Sequence, residues 1–161
     1  MIRFRSLMFV LVTVVSMRPA LALNPLGVEI LGLRLGMAAP EVISLLTNQG
    51  ARDIIPGPAG ASGIPASVKA RTGDGNLLVE FAPAGEARRI TYTLNAHGAN
   101  ETELIRASVV DRFGDPATST PLTWCRAPDS NGVCPPGLPV LTFKPGQDVT
   151  RILTLWNGKG P

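Results

Sequence analysis

The chain has 161 residues, with 15 Lys plus Arg against 12 Asp plus Glu and a formal net charge of +3. Three of those cations, Arg3, Arg5 and Arg18, lie in the first 22 residues, which hold no acid, so removing them leaves 12 against 12. The basic balance belongs to the N-terminal segment and gives no reason to assign nucleic acid or an anionic membrane as partner.

That segment has a pattern of its own. Arg3 and Arg5 precede an uncharged apolar run from Leu7 to Met17, and Ala20-Leu21-Ala22 puts small residues at the two positions a signal peptidase reads. These are the three regions of a secretory signal in order. The run is too short for a spanning helix, which needs about 20 apolar residues. The sequence therefore predicts cleavage between Ala22 and Leu23, no membrane span after cleavage, and a single periplasmic or secreted domain over residues 23–161. No Cys stands at the junction to accept a lipid.

The first predicted element runs from Gly32 to Gly50: an extended lead, a turn at Gly36, and a helix over about residues 39–49. Val42, Leu45 and Leu46 recur at the three-and-four spacing of one buried stripe. Ala38 stands where a capping Ser or Thr is usual, Glu41 can reach back to the cap amide, and Gly50 suits the left-handed stop. Residues 52–65, with Pro56-Gly57-Pro58 and Gly63-Ile64-Pro65, read as an exposed loop, a connector before a lid. Three strands follow as a meander: Ser67 to Arg71, Leu77 to Ala82, and Ala87 to Asn95. Leu77, Val79 and Phe81, then Ile90, Tyr92 and Leu94, take one face, while Arg89, Thr91 and Thr93 take the wet one.

Asn100-Glu101-Thr102-Glu103 opens the second helix as a capping box, a reading preferred over a glycosylation acceptor. Its apolar stripe is Ile105, Val109 and Phe113, with Leu104 beside it, and Gly114-Asp115-Pro116 ends it. The last strands are about Leu122 to Arg126, Val140 to Phe143 and Thr150 to Trp156. Cys125 and Cys134, an even pair in an exported chain, are expected to form a disulfide. Closing so small a loop stabilises the fold by about 2.5 to 3 kcal/mol in the loop-entropy model.

Two halves, about 32–95 and 100–156, repeat one pattern: α-β-β-β-α-β-β-β. The expected fold is α+β, with two helices packed on one face of an antiparallel sheet of about six strands. Gly32, Gly36, Met37, Glu41 and Val42 form a Gly-x-x-x-Gly-Met-x-x-x-Glu-Val pattern before a short helix. It resembles the opening of small bacterial envelope proteins of the BamE/SmpA type. With the meander and Phe113-Gly114-Asp115-Pro116, the chain also resembles the wider group sharing the fold of the β-lactamase inhibitory protein. That resemblance implies helices on an antiparallel sheet, with the open face or loops binding another protein.

Chemistry-bearing residues are few. His97, the single histidine, sits in a polar connector with no assignable orienting acid or nucleophile. Glu101 and Glu103 are two apart on a helix and do not face each other. Gly73-Asp74-Gly75 lacks the strand-then-helix context of a phosphate loop. Arg88-Arg89 is too short for an electrostatic footprint, and a closed zinc site wants more ligands than two Cys and one His. Trp124 and Trp156 read as core residues of apolar strands. No catalytic, cofactor or metal residue is assigned. The expectation is a non-enzymatic protein-binding or envelope-associated module, with another envelope protein as candidate partner; the alternative is a small secreted hydrolase or ligand carrier with its site near residues 52–65. Mass spectrometry of exported protein should show a chain beginning at Leu23; a retained Met1 contradicts the signal.

Overall fold

A computed structural model describes residues 28–60, 62–96, 99–145 and 150–157. The expected signal with its Ala22–Leu23 junction, His97, and the turn after Pro145 lie outside the described residues. Leu31 and Gly32, at φ of +53° and +72°, make a two-residue turn across which Ile30 and Leu33 exchange backbone bonds. Gly36, at +87°, turns the chain again into α1 (Ala39–Asn48).

Val42 and Leu46 of α1 are fully buried, as the stripe predicts, and Leu45 is half-buried. The helix start departs from expectation. Ala38 provides no side-chain cap; the Ala39 amide donates instead to the Gly85 carbonyl at 3.2 Å, and Pro40 has no amide to satisfy. A distant backbone turn thus does what a local hydroxyl would do, and the expected reach of Glu41 is not needed. At the other end Gly50, at φ +71°, donates to Thr47 and Ala51 donates to Leu46, both at 3.0 Å. This is the paired bond pattern of a left-handed glycine stop.

The remaining elements are β1 (Arg52–Pro56), β2 (Ser67–Thr72), β3 (Gly75–Phe81), β4 (Ala87–Asn95), α2 (Ala99–Phe113), β5 (Thr118–Ser119), β6 (Leu122–Cys125), β7 (Val140–Pro145) and β8 (Thr150–Trp156). The fold is α+β, but the expected count of about six strands and the order α-β-β-β-α-β-β-β are corrected. Eight antiparallel strands form one sheet in the order β1-β2-β3-β4-β8-β7-β6-β5, and each helix is followed by four of them. The missed strands are the two edges. β1 lies in the stretch read as loop; its alternation is broken by a bulge between Arg52 and Ile55, with Asp53 at φ +51°. Pro56 is tolerated there because an edge strand needs ladder donors on one side only. β5 has two residues, too few for a period of two to show.

The halves meet where β4 pairs with β8 in seven residue pairs, from Arg89↔Trp156 to Asn95↔Thr150. Opposed residues of antiparallel strands share a face, so registers can be followed across the sheet. Val68, Val79, Ile90, Leu155, Leu141 and Trp124 form one continuous row over six strands, none more than 2% exposed. Ala70, Leu77, Tyr92, Leu153, Phe143 and Leu122 form the next row, also buried. Val42 and Leu46 of α1 and Val109 and Phe113 of α2 belong to the same core cluster. The Phe113 ring lies 6.1 Å from that of Trp124. Both helices therefore cover the face that these rows define.

In α2 the stripe is narrower than expected: Val109 and Phe113 are buried and Ile105 packs beside them, but Leu104 is 71% exposed. The helix begins at Ala99, which puts Asn100 in its first turn and not at the cap. Gly114, at φ +79°, closes the helix, and its carbonyl accepts the Trp124 indole N–H at 2.8 Å.

Gly75 has a particular reason to be glycine. A Cβ there would overlap the Thr93 carbonyl of β4, whereas one at Gly73, two residues away in the β2–β3 turn, meets nothing. Gly75→Ala should destabilise by about 1–3 kcal/mol as an overpacked contact, and Gly73→Ala by less than about 0.5 kcal/mol. Urea unfolding of the two variants makes the comparison.

Candidate functional site

The face of the sheet turned away from the helices is the candidate site. Its central row follows from the register that built the core. Thr91 opposes Thr154, Thr154 opposes Thr142, Thr142 opposes Thr123, and Thr123 opposes Thr118. Five threonines thus cross five adjacent strands, each half-buried. Such cross-strand pairs stabilise a sheet modestly and leave a strip of methyls and hydroxyls without charge. Leu78 extends the row on β3.

Flanking rows carry aromatic and charged groups. Trp156 opposes Arg89, whose guanidinium carbon lies 5.9 Å from the centre of its ring. Arg89 also pairs with Glu80 at 3.4 Å, and Arg88 reaches the same carboxylate at 3.8 Å. Trp156 is therefore not the core residue it was expected to be; it is half-buried on the open face. Trp124, in contrast, is buried as expected. The signal that separates them is parity: Leu153 and Leu155 point to the helices, so Trp156 must point away.

At the β1 end the open face forms a hollow of about 550 Å³. Leu78, Thr91 and Thr93 are among its lining, Ile55 and Lys69 stand at one side, and Arg71 and Asn76 at another. Ile55 is 58% exposed. Arg71 pairs with Asp53 at 3.3 Å, both side chains largely in water, a geometry worth little net energy. Lys69 has no acidic partner among the described residues.

At the opposite end, Cys125 lies in register with Val140 and Trp156, on the open side, and its disulfide with Cys134 has a Cα separation of 5.8 Å. The expected bridge is present, and it brings the β6–β7 connection over that side of the sheet. Cys125 and Val140 are both 5% exposed as a result. A bond of this kind is characteristic of an oxidising, extracytoplasmic compartment. Asp129 stiffens the connection by accepting from the Asn131 and Val133 amides at 2.9 and 2.8 Å.

No family model, curated protein or solved structure matches the chain. The site must be read from its own groups.

Among the described residues no three His, Cys, Asp or Glu side chains are grouped to hold a metal, and no helix is long and apolar enough to cross a membrane. Glu103 is paired with Arg106 at 3.5 Å on the surface of α2, while Thr102 accepts from Arg151 of β8 at 2.8 Å. These contacts tie the helix to itself and to the sheet. Asp74 sits in the β2–β3 hairpin turn, as its Gly-Asp-Gly setting suggests.

Tyr92 departs from its ordinary titration. Burial raises its pKa above the usual value near 10 by disfavouring the phenolate. A hydrogen bond with Thr72 at 2.9 Å opposes the rise, and the Asp74 charge adds to it. A phenol held more tightly protonated in the fold stabilises it fully below the unfolded value of about 10, and that contribution is lost as pH rises through the folded value. Tyr92→Phe should cost about 1 kcal/mol at pH 7 through the lost Thr72 bond. It should also flatten the alkaline loss of stability, measured by urea unfolding at neutral pH and above pH 10.

Proposed function

We propose that the chain is an exported, periplasmic or secreted, non-enzymatic module that binds another protein of the cell envelope through the open face of its sheet. One observation carries the reading: a single eight-stranded sheet has one face covered by both helices and the other left with Leu78, the threonine row, Ile152 and Trp156 half-buried and, among the described residues, no element over most of them. Aromatic residues are enriched in interfaces over other surface, and contiguous exposed apolar groups mark interaction sites. The export signal expected from the sequence and the disulfide support an extracytoplasmic setting. The resemblance to envelope and inhibitor proteins that bind through a sheet face or loops agrees with it.

The ligand-carrier reading has one observation in its favour, since Asp53 and Ile55, from the 52–65 segment, line the hollow. That hollow is shallow against the sheet and does not include Trp124. An enclosed pocket with converging polar groups would be needed to favour a carrier or a hydrolase.

Affinity capture from envelope extract tests the proposal when wild type is run beside Thr154→Arg, Trp156→Ala and Ser108→Arg. Ser108 is exposed on α2, away from the open face. A stoichiometric partner should be retained by wild type and Ser108→Arg and reduced at least about tenfold by the two open-face variants, as expected for central interface residues. Equal capture by all four proteins, or no stoichiometric protein, overturns the open-face assignment.

A further inference from the structure

We infer that the partner meets this face with an acidic segment, seating an apolar side chain in the hollow between β1 and β4 and placing carboxylates against Lys69 and Arg71. The inference rests on the protein-binding reading and names the chemistry of the partner.

Charge separation is the first argument. The chain after residue 22 is formally neutral, yet one face of its sheet holds an excess of cations. Arg52, Lys69, Arg71, Arg89 and Lys144 share the open-face register, against Glu80 and the Asp53 bound to Arg71. Among the described residues of that register, these five cations against these two acids leave three in excess. The helix side is closer to balance, with Glu41, Glu101, Glu103 and Asp111 against Arg106, Arg112 and the Arg151 that bonds to Thr102. That excess makes the open face cationic, and complementary potential favours an acidic partner there.

The hollow supplies the second argument. Its half-buried floor includes Leu78, Thr91 and Thr93, and its exposed rim holds Lys69, Arg71 and Asn76. Apolar floor and cationic rim match a side chain flanked by carboxylates. Lys69 is free of acidic partners among the described residues, and the exposed Arg71–Asp53 pair can be exchanged at little cost. An anionic membrane is a poorer occupant. Lipid-binding patches gather about 4–8 cations, whereas three stand near this hollow and Asp53 is set among them.

Panning a phage-displayed random dodecapeptide library on the wild-type protein tests this. The expected result is a consensus of Asp or Glu around one large apolar residue. Binding should fall at least about tenfold in Lys69→Glu/Arg71→Gln, since charge reversal at a paired site removes an attraction and adds a repulsion. It should also weaken as NaCl rises from 50 to 500 mM, because exposed charges are screened. Amide shifts on peptide addition should centre on Lys69, Leu78 and Thr91. Both substituted residues are exposed, so the thermal midpoint should hold; if the variant fails to fold, the salt titration and amide mapping on wild type decide the question. Peptides that are basic or neutral, or that bind elsewhere on the domain, overturn the acidic-partner inference and leave protein binding standing. A library with no binder at all overturns both, as does binding at this face to vesicles of anionic phospholipid without any peptide binder.

Discussion

The register between β4 and β8 is the constraint on which everything else in this molecule depends. Seven residue pairs join two four-stranded meanders that share no obvious residue identity, and the pairing aligns Ile90 with Leu155 and Tyr92 with Leu153. A slip of one residue would turn every side chain of one half to the other face. Leu153 and Leu155 would then face water, and Trp156 and Ile152 would meet the helices. The two buried rows, each six strands wide, exist because this seam is in phase with the pleat of both halves. So does the threonine row on the other side, since Thr91↔Thr154 is a pair of the same seam.

Once the seam is set, the two faces have different work. Helix α1 closes over the first meander and α2 reaches the second through Phe113, Trp124 and the Gly114 carbonyl. The aromatic residues are sparse, and the contact between these two spans a part of the core where smaller side chains would leave voids. Among the described residues no helix covers the opposite face. It is kept in solution by threonines and by charges at its margins, and a long edge is avoided because β5 has two residues and β1 is bulged. The disulfide confines one end of that face by holding the β6–β7 connection beside Cys125 and Val140.

Much of this was legible in the sequence where local pattern and global packing agree. Leu77, Val79 and Phe81 alternate, and so do Ile90 and Tyr92, because one face of each strand is dry and the other wet. The bounds Ala87 to Asn95 and Thr150 to Trp156 are those observed. Gly50 stops α1 as read, since only a residue tolerant of positive φ fits there. What was not legible lay where a partner distant in sequence supplies the missing chemistry. Ala38 looks like a poor cap until Gly85 is placed beside Ala39. The strand β1 looks like a loop because its bulge removes alternation and its only ladder is with β2. The threonine row cannot be read from any single strand, because the information is in the register between strands. Trp156 was assigned to the core on composition, although its parity with Leu155 pointed outward.

The feature that hid β1 also makes the hollow. A regular edge strand would continue the pleat, set its residues in line with Lys69 and Arg71, and leave the open face flat. Asp53, at φ +51°, breaks that regularity, and the register shifts before Ile55. Its carboxylate is thereby brought to Arg71, while Ile55 is left exposed at the margin above Leu78 and Thr91. An Asp is one of the few non-glycine residues that enters this region of backbone space at modest cost. The same bulge that shields the edge from pairing with another chain therefore also shapes the cationic, apolar-floored recess. Edge protection and the recess have one structural cause, located in the four residues from Arg52 to Ile55.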